Sequence, residues 1–394
     1  MAKWRRKIPW LFCIVLLVSC QPGPVSQEPD LPELPFSADL QTAITEALAD
    51  GQEPYELGVS AAVIVPGYEV WTGVGGISHP GEPITPDTLF DVGSVQKNFE
   101  AALVLKMAEE DLLSLDDPIS LYLPALPNAD GGITIRQLLD HSSGVFNVFE
   151  HPDFPWIRVD VDYARSWELE EVFDNFVLEP YGPPGHVQHY SSTNYLLLTA
   201  IVEKVSGFTV PEELGRYFLG PMNLANTYVT MDAPPPEQYT VAHPWVDLER
   251  DRQLEDLYGI SLAWKSTLTH PTLFSTAGDL ARWMHALFYH RTVLAPESLD
   301  EMLAYPEVTV RDPEGGRYGL GVVDYSASLG MNVIGHMGSS LGYVAAALYL
   351  PEYGVTVVIL INAGESPQPL GGWLLYDSWS AIVEVLREQG IVEP

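Results

Sequence analysis

Hydrophobic and polar positions follow two different patterns along the chain. Near both ends, short apolar runs bounded by Pro, Gly or Asn predict β-strands: residues 57–65 and 69–75, and later "YGLGVVDY", "MNVIGHMG", "YVAAALYLP" and "GVTVVILIN". The middle, about residues 115–265, holds short helical patterns and Pro/Gly loops with few strand signals. We therefore predict an α/β (α+β) fold, in which both termini build one antiparallel sheet flanked by helices around an inserted, mostly helical subdomain.

Longer helical patterns lie beside these strands. They cover residues 37–50, a stretch from "DVGSVQK" to about residue 113, the capped "TAGDLARWMHALFY" at 276–289, and residues 373–389. The second of these is apolar on nearly all sides between Ala101 and Leu105, which indicates a buried helix.

The N-terminus has a pattern of its own. Four basic residues among the first seven precede an apolar stretch at 8–18, and about 11 residues are too few for a membrane span, which needs roughly 20. The stretch ends in Leu-Val-Ser-Cys20, which resembles a bacterial lipobox, so residues 1–20 are predicted to be a lipoprotein-type signal with Cys20 as the lipidation site. An ordinary signal peptide with an incidental cysteine is the alternative.

Residues 21–36, "QPGPVSQEPDLPELPF", are rich in Pro and acidic residues and predict a linker that holds a domain spanning 37–394 off the membrane. We therefore expect an exported, membrane-anchored lipoprotein that faces the periplasm or the cell exterior.

Composition narrows the chemistry. With 46% hydrophobic residues, 394 residues can bury a large core. The formal net charge of −34 argues against nucleic acid or anionic lipid headgroups as partners, and solubility or a saline habitat is the simplest reason for it. Both cysteines, Cys13 and Cys20, fall in the predicted signal, so the folded part has no disulfide, thiol nucleophile or zinc–thiolate site.

A serine and a lysine lie three residues apart where the buried helix begins. Ser94 and Lys97 project from the same side of a first helical turn. Burial and the positive end of the helix dipole would favour a neutral amine, which could take a proton from Ser94. A Ser cap followed by a solvated lysine is the structural alternative.

Six segments carry a more specific signal. They are "DVGSVQKNFEAALVLKMAEEDLLSLDDPISLYLP", "ITIRQLLDHSSGV", "PPGHVQHYSSTNYLLLTAIVEKVSG", "STAGDLARWM", "YGLGV" and "GHMGSSLGY". In this order they resemble the beta-lactamase-related serine hydrolases, a family of class C beta-lactamases, D-alanyl-D-alanine carboxypeptidases and esterases. The resemblance covers nearly everything from about Ser37 onward. It is greatest for the carboxypeptidase branch, in which the last of the three family motifs, H/K-T-G, begins with His.

The resemblance implies roles for particular residues. Ser94 matches the acylated nucleophile, Lys97 its activating amine, and Tyr190 the tyrosine of the Y-x-N motif, which relays a proton to the leaving group. His336 begins the segment that matches the H/K-T-G motif. The backbone N–H groups of Ser94 and Ser339 would form the oxyanion hole. The other substrate-binding candidates are Gly338, Ser192 and Trp264, of which Trp264 could equally be a core aromatic. The family requires neither a metal nor a cofactor.

Three departures from the family pattern affect the substrate end of the site. Ser192 stands where Y-x-N has Asn, and Met337 stands where H/K-T-G has Thr. Residues 321–335 lack the Lys or Arg that would pair with a C-terminal carboxylate. These departures weaken the hypotheses of a peptidase or a beta-lactamase and favour an esterase or another amide hydrolase.

The sequence therefore predicts an extracytoplasmic serine hydrolase that acts through an acyl-enzyme. We expect it to be D-alanyl-D-alanine carboxypeptidase-like or beta-lactamase-like, with a small-molecule or peptide substrate and peptidoglycan as a candidate. The alternatives are an esterase of the same family or a non-catalytic homologue that binds an envelope ligand. "GSSLG" at 338–342 also fits G-x-S-x-G, but an elbow with Ser340 as nucleophile needs a following helix and a later His, and the sequence offers neither.

Overall fold

The structure is a computed structural model that describes residues 31–52, 56–154, 167–231, 235–248, 251, 253–259, 270–306, 316–364 and 370–393. The predicted signal with Cys20, residues 21–30 of the predicted linker, and Trp264 lie outside these ranges, and what was predicted of them stays a prediction. Within these ranges, no helix combines the length and apolar character needed to cross a membrane.

An antiparallel sheet of eight strands forms the centre of the fold. Its strands are β1 Gly58–Ile64, β2 Trp71–His79, β3 Glu82–Pro83, β9 Arg317–Tyr318, β10 Val323–Asp324, β11 Ile334–Ser340, β12 Tyr343–Leu350 and β13 Val355–Ile361. Their order is β3-β2-β1-β13-β12-β11-β10-β9. Because β1 pairs antiparallel with β13, with Val59 opposite Ile361, strands from the two ends of the chain meet in its middle. The predicted two-ended sheet is confirmed.

Helices cover both faces of this sheet. The helices of the described residues are α1 Ser37–Gln52, α2 Gln96–Glu109, α3 Ile135–Leu139, α4 Leu169–Phe176, α5 Thr193–Ser206, α6 Val210–Leu214, α7 Ala277–Met284, α8 Pro296–Met302, α9 Ser326–Leu329 and α10 Leu370–Glu388. One core contains the apolar side chains of α1 and α10, and the other contains those of α2 and α7. Since β1, β12 and β13 lie between these cores, they are buried along their whole length.

Helix α2 is buried on almost every side, as its sequence predicted, and it ends earlier than predicted. The pattern indicated a helix to about residue 113, whereas α2 stops at Glu109 and Asp111 takes a left-handed conformation with φ 56°. A non-glycine residue at positive φ cannot continue a right-handed helix. The capped helix is confirmed: Thr276 accepts a hydrogen bond from Asp279 N at the start of α7.

The middle of the chain combines short helices with small sheets. Strands β4 Phe90–Asp91, β5 Thr227–Thr230 and β8 Thr272–Ser275 form one small sheet, and β6 Trp245–Val246 pairs with β7 Glu255–Asp256. Helices α3 to α6 and strands β5 to β7 therefore all fall within residues 115–265. The assignment of that range to a separate helical subdomain stays a prediction.

The folded unit begins before the predicted end of the linker. Leu34 and Phe36 are buried, with 3% and 4% exposure, in the core that contains α1 and α10. Pro32 O accepts a backbone hydrogen bond from Glu69 N. The compact unit starts at Pro32. The predicted boundary at residue 36 is therefore too late, because two apolar side chains of the Pro-rich segment pack into the core.

Candidate active site

The candidate nucleophile lies on a tight turn between a strand and a helix. Strand β4 ends at Asp91, residues 93–95 form a single 3-10 turn, and α2 begins at Gln96. Gly93 has φ +53°, and a Cβ added there would lie 2.7 Å from Ser339 O. Glycine is required at this position, because the turn that carries Ser94 packs directly on the backbone of β11.

Lys97 approaches Ser94 from within the helix. Its Nζ lies 3.0 Å from Ser94 Oγ, and its side chain is buried, with 4% exposure. The amine also lies 5.0 Å from the ring centroid of Tyr190 and 5.5 Å from that of Tyr195. A lysine in these surroundings is shielded from water and directed at one hydroxyl, which is the arrangement that a base for Ser94 needs.

Tyr190 contacts the same oxygen atom. Its hydroxyl lies 2.7 Å from Ser94 Oγ, although 96 residues separate the two in sequence. Ser94 Oγ therefore lies within hydrogen-bonding distance of an amine and a phenol at once. Such a pair can remove a proton from the serine and return one to a leaving group.

His141 holds the segment that carries Tyr190, and sequence reasoning missed it. The backbone O of His141 accepts from His189 N at 3.0 Å, and its Nδ1 accepts from Ser191 N at 3.2 Å. Its ring centroid lies 4.4 Å from that of Tyr190. Burial holds the pKa of His141 well below its usual range, so the ring is neutral. Its φ of 60° is a signal that sequence alone does not give.

The edge of β11 faces the nucleophile turn. Strand β10 pairs only with Ile334 and Gly335, which leaves the rest of this edge to other partners. Met337 N donates to Tyr325 OH, away from β12, and N–H groups two residues apart point to the same edge of a strand. Ser339 N–H therefore points away from β12 as well. A Cβ added at Gly338 would lie 2.8 Å from Ser94 N, so the two predicted oxyanion donors belong to backbones in contact.

His336 lies behind the site rather than at its surface. It is buried, with 1% exposure, and its Nε2 lies 2.8 Å from Tyr318 OH. The ring of Tyr318 is 5.8 Å from that of Tyr190 and 4.4 Å from that of His141. The structure thus connects His336 to Tyr190 through Tyr318. A role in holding this aromatic layer fits the geometry better than direct substrate contact.

The two departures from the family motifs have different surroundings. The backbone N of Ser192 donates to Asn147 Oδ1 at 3.2 Å, so a buried amide lies beside the position where the motif has Asn. Met337 packs against the core that contains α1 and α10. Alternation along β11 directs Met337 away from the face on which Gly338 meets the Ser94 turn.

A polar cluster that the sequence did not reveal lies next to Tyr190. His189 Nε2 lies 3.2 Å from Glu150 Oε1. Tyr181 OH donates to Glu150 Oε2 at 2.7 Å, and its ring lies 3.7 Å from that of His189. Both His189 and Glu150 are exposed, and the 39 residues between them conceal the pair in the sequence.

Glu100 is a buried carboxyl one helical turn beyond Lys97. Its Oε1 accepts from Gln96 Nε2 at 2.6 Å, and no hydrogen-bond partner for its Oε2 is found among the described residues. Burial raises the pKa of Glu100 from 4.5 to about 8, against the opposing effect of the hydrogen bond from Gln96. Elsewhere, the described ranges contain no group of three His, Cys, Asp or Glu side chains arranged to bind a metal ion.

Comparison with known proteins gives consistent matches. A family described as Beta-lactamase matches residues 41–376. Penicillin-binding protein 4* of Bacillus subtilis (strain 168) is 26% identical over 303 residues, which cover 73% of this chain and 63% of that protein. Teichoic acid D-alanine hydrolase of Staphylococcus aureus is 28% identical over 144 residues, 36% of this chain and 33% of that protein. The chain thus matches less than two thirds of the length of these relatives.

Solved structures match over more of the chain. The crystal structure of a D-stereospecific amidohydrolase from Streptomyces sp. superimposes with a TM-score of 0.71 at 27% identity, covering 87% of this chain and 98% of that one. The D-amino acid amidase of Ochrobactrum anthropi SV3 has a TM-score of 0.74 at 24% identity, over 89% of this chain and 99% of its own, and it supports the fold alone.

Proposed function

Because this chain belongs to the beta-lactamase family, we propose that it is a serine hydrolase that forms an acyl-enzyme at Ser94. The observation that carries the proposal is the double contact at Ser94 Oγ, with Lys97 Nζ at 3.0 Å and Tyr190 OH at 2.7 Å. An oxygen that faces an amine and a phenol, on a turn packed against backbone N–H groups, is equipped for acyl transfer.

Acylation uses each of these groups. The neutral amine of Lys97 takes the Ser94 proton as Oγ attacks the scissile carbonyl carbon. The backbone N–H groups of Ser94 and Ser339 stabilise the negative charge that develops on the carbonyl oxygen. When the tetrahedral intermediate collapses, the bond to the leaving group breaks, and Tyr190 passes the leaving group a proton that Lys97 replenishes.

Deacylation reverses the proton movements. The Lys97–Tyr190 pair takes a proton from water, and the resulting hydroxide attacks the acyl carbon. The bond to Ser94 Oγ then breaks, and the serine recovers its proton. The first product is the amine or alcohol of the substrate, and the second is its carboxylic acid.

We infer that the substrate class is amides or esters of D-amino acids. The similar Streptomyces structure is described as a D-stereospecific amidohydrolase, and one of the relatives as a D-alanine hydrolase that acts on teichoic acid. Residues 321–335 contain no basic side chain, and Arg317, just before them, pairs with Asp324. The lack of a basic residue at 321–335, where the family pattern has one, favours substrates without a free C-terminal carboxylate. The D-alanyl-D-alanine carboxypeptidase and beta-lactamase activities are the competing proposals.

A labelling experiment and a substrate panel test this function together. Purified protein is treated with a fluorophosphonate probe and with a fluorescent penicillin, and the modified residue is located by peptide mass spectrometry. Turnover is then compared for a D-alanine amide, a short-chain ester, a D-Ala-D-Ala peptide and a cephalosporin. We expect label at Ser94 and fastest turnover of the amide or ester. A folded protein that binds these compounds without label or turnover would instead be a non-catalytic binder.

We also propose that the protein is exported and anchored through lipid on Cys20, which would place the site where peptidoglycan and other envelope polymers occur. The basis is the basic and apolar pattern of residues 1–20 and the Leu-Val-Ser-Cys20 sequence. Cells that express the full chain should incorporate labelled palmitate into it, and Cys20→Ala should prevent this. Palmitate incorporation that is unchanged by Cys20→Ala would refute the anchor.

A further inference from the structure

The oxyanion hole of the proposed mechanism combines two distant parts of the chain. One donor, Ser94 N–H, lies on the turn after β4, and the other, Ser339 N–H, lies near the end of β11. Contacts between the two segments must therefore fix the gap between the donors, and donors aligned before reaction are the effective ones. Gly93 and Gly338 let the backbones touch, but van der Waals contact alone leaves them free to slide.

A buried carboxylate connects the two segments. Asp91, with 1% exposure, accepts a hydrogen bond from Gly93 N at 2.9 Å through Oδ1. Its Oδ2 accepts another from Ser340 Oγ at 2.7 Å. Gly93 immediately precedes one donor residue and Ser340 immediately follows the other. A single carboxylate group thus spans the distance between the two halves of the hole.

We propose that Asp91 and Ser340 form a clamp that sets the spacing of the oxyanion donors, and that both are positioning residues for the reaction. This inference rests on the proposed function. It also gives a role to Ser340, which the G-x-S-x-G match would have made a nucleophile. Ser340 Oγ donates to a carboxylate whose other oxygen holds the nucleophile turn, so it acts on the reaction through Ser94 and Ser339. Hydrogen bonds to a carboxylate are the stronger kind, which suits a clamp.

Ser340→Ala is the direct test, because it removes one hydroxyl from a half-buried position. With p-nitrophenyl butyrate as probe, we expect kcat to fall about tenfold to hundredfold, while KM stays within about threefold, since the oxyanion forms only after binding. Affinity for phenylboronic acid, whose adduct with the serine places an oxygen in the hole, should fall in parallel with kcat. Ser340→Thr keeps the hydroxyl and should restore most of the rate.

Ser275→Ala is the matched control. It removes a fully buried hydroxyl that lies 2.8 Å from Thr227 Oγ1, on the small sheet that contains β4, and neither Asp91 nor Ser340 is its hydrogen-bond partner. We expect its kcat to stay within about twofold of wild type. An equal loss in Ser275→Ala and Ser340→Ala, or a Ser340→Ala enzyme with wild-type kcat and boronate affinity, would overturn the clamp.

Substitution of Asp91 separates geometry from charge. In Asp91→Asn the amide can still accept from Gly93 N and can contact Ser340 Oγ through its nitrogen, whereas Asp91→Ala loses both bonds. The clamp predicts that Asn retains at least tenfold more kcat than Ala. Equal activities would overturn it. Absence of fluorophosphonate label at Ser94 in wild type would overturn the proposed function, whereas normal labelling with an insensitive Ser340→Ala would overturn only the clamp.

Discussion

The nucleophile end of the site and its rim are built on different principles. Lys97 Nζ and Tyr190 OH lie 3.0 Å and 2.7 Å from Ser94 Oγ, and Lys97 and the nearby His141 are buried. The rim is formed by the buried Ser192, whose backbone N–H donates to Asn147 Oδ1, and by the exposed pair Glu150 and His189. The first region can tolerate little change in chemistry, while the second can vary with the substrate. The predictions below test that contrast.

Lys97→Met should have the largest effect. Methionine fills a similar volume without the amine, so Ser94 keeps its turn and loses its proposed base. We expect hydrolysis of p-nitrophenyl butyrate to fall about 10³- to 10⁴-fold. The midpoint of thermal unfolding should stay the same or rise, because a buried amine no longer has to be desolvated. A variant that retains a tenth of the activity would remove Lys97 from the mechanism.

Tyr190→Phe should reduce kcat by about 10²- to 10³-fold. The phenyl ring still packs on His141 and Tyr318, so only the hydroxyl that contacts Ser94 is lost. Steady-state kinetics with an amide and with an activated ester separates the roles, because the ester leaving group needs no proton. The loss should be greater for the amide. Equal losses on both substrates would argue against proton donation by Tyr190 to the leaving group.

Glu100→Gln should change stability rather than chemistry. With a pKa raised from 4.5 to about 8, folded Glu100 keeps its proton while the unfolded chain has released it. The wild-type free energy of unfolding therefore contains a contribution that declines as pH rises from about 4.5 to about 8. Glutamine cannot ionise, so across this pH window the free energy of unfolding of the variant should rise relative to that of wild type, by up to roughly 4 kcal/mol. Urea denaturation at pH 5 and pH 8 measures the gain, and a pH-independent difference would contradict this.

Ser192→Ala should have the smallest effect. The contact with Asn147 comes from the backbone N–H of Ser192, which alanine retains. We expect kcat for a short-chain ester within about threefold of wild type and an unchanged unfolding midpoint. Ser192→Asn, which restores the family residue, should act mainly on KM for peptide substrates. A hundredfold loss of kcat in Ser192→Ala would contradict the contrast, because the rim would then matter as much for turnover as the groups around Ser94.

The sequence predicted much of the fold because its strand and helix patterns are strong. The two-ended sheet, the buried α2 and the Thr276-capped helix are confirmed. Two boundaries are wrong for local reasons. Asp111 adopts positive φ and ends α2 early, and the burial of Leu34 and Phe36 depends on a core formed by distant helices. Neither effect leaves a periodic signal in the sequence.

The site was partly predictable for a related reason. Ser94 and Lys97 are three residues apart, and Tyr190 lies in a recognisable motif, so local sequence singled them out. Asp91 and Ser340 are 249 residues apart, and the contacts of His141 with the Tyr190 segment span about 50 residues. Those pairings depend on how β11 meets the nucleophile turn, which only the folded chain reveals.

The measurement that tests the account most directly is the intact mass of the protein after reaction with a fluorophosphonate, compared among wild type, Ser94→Ala and Ser340→Ala. We expect one adduct per chain in wild type, none in Ser94→Ala, and a slower approach to the same single adduct in Ser340→Ala. An adduct that persists in Ser94→Ala, or folded wild-type protein that takes up none, would contradict the assignment of Ser94 as the nucleophile.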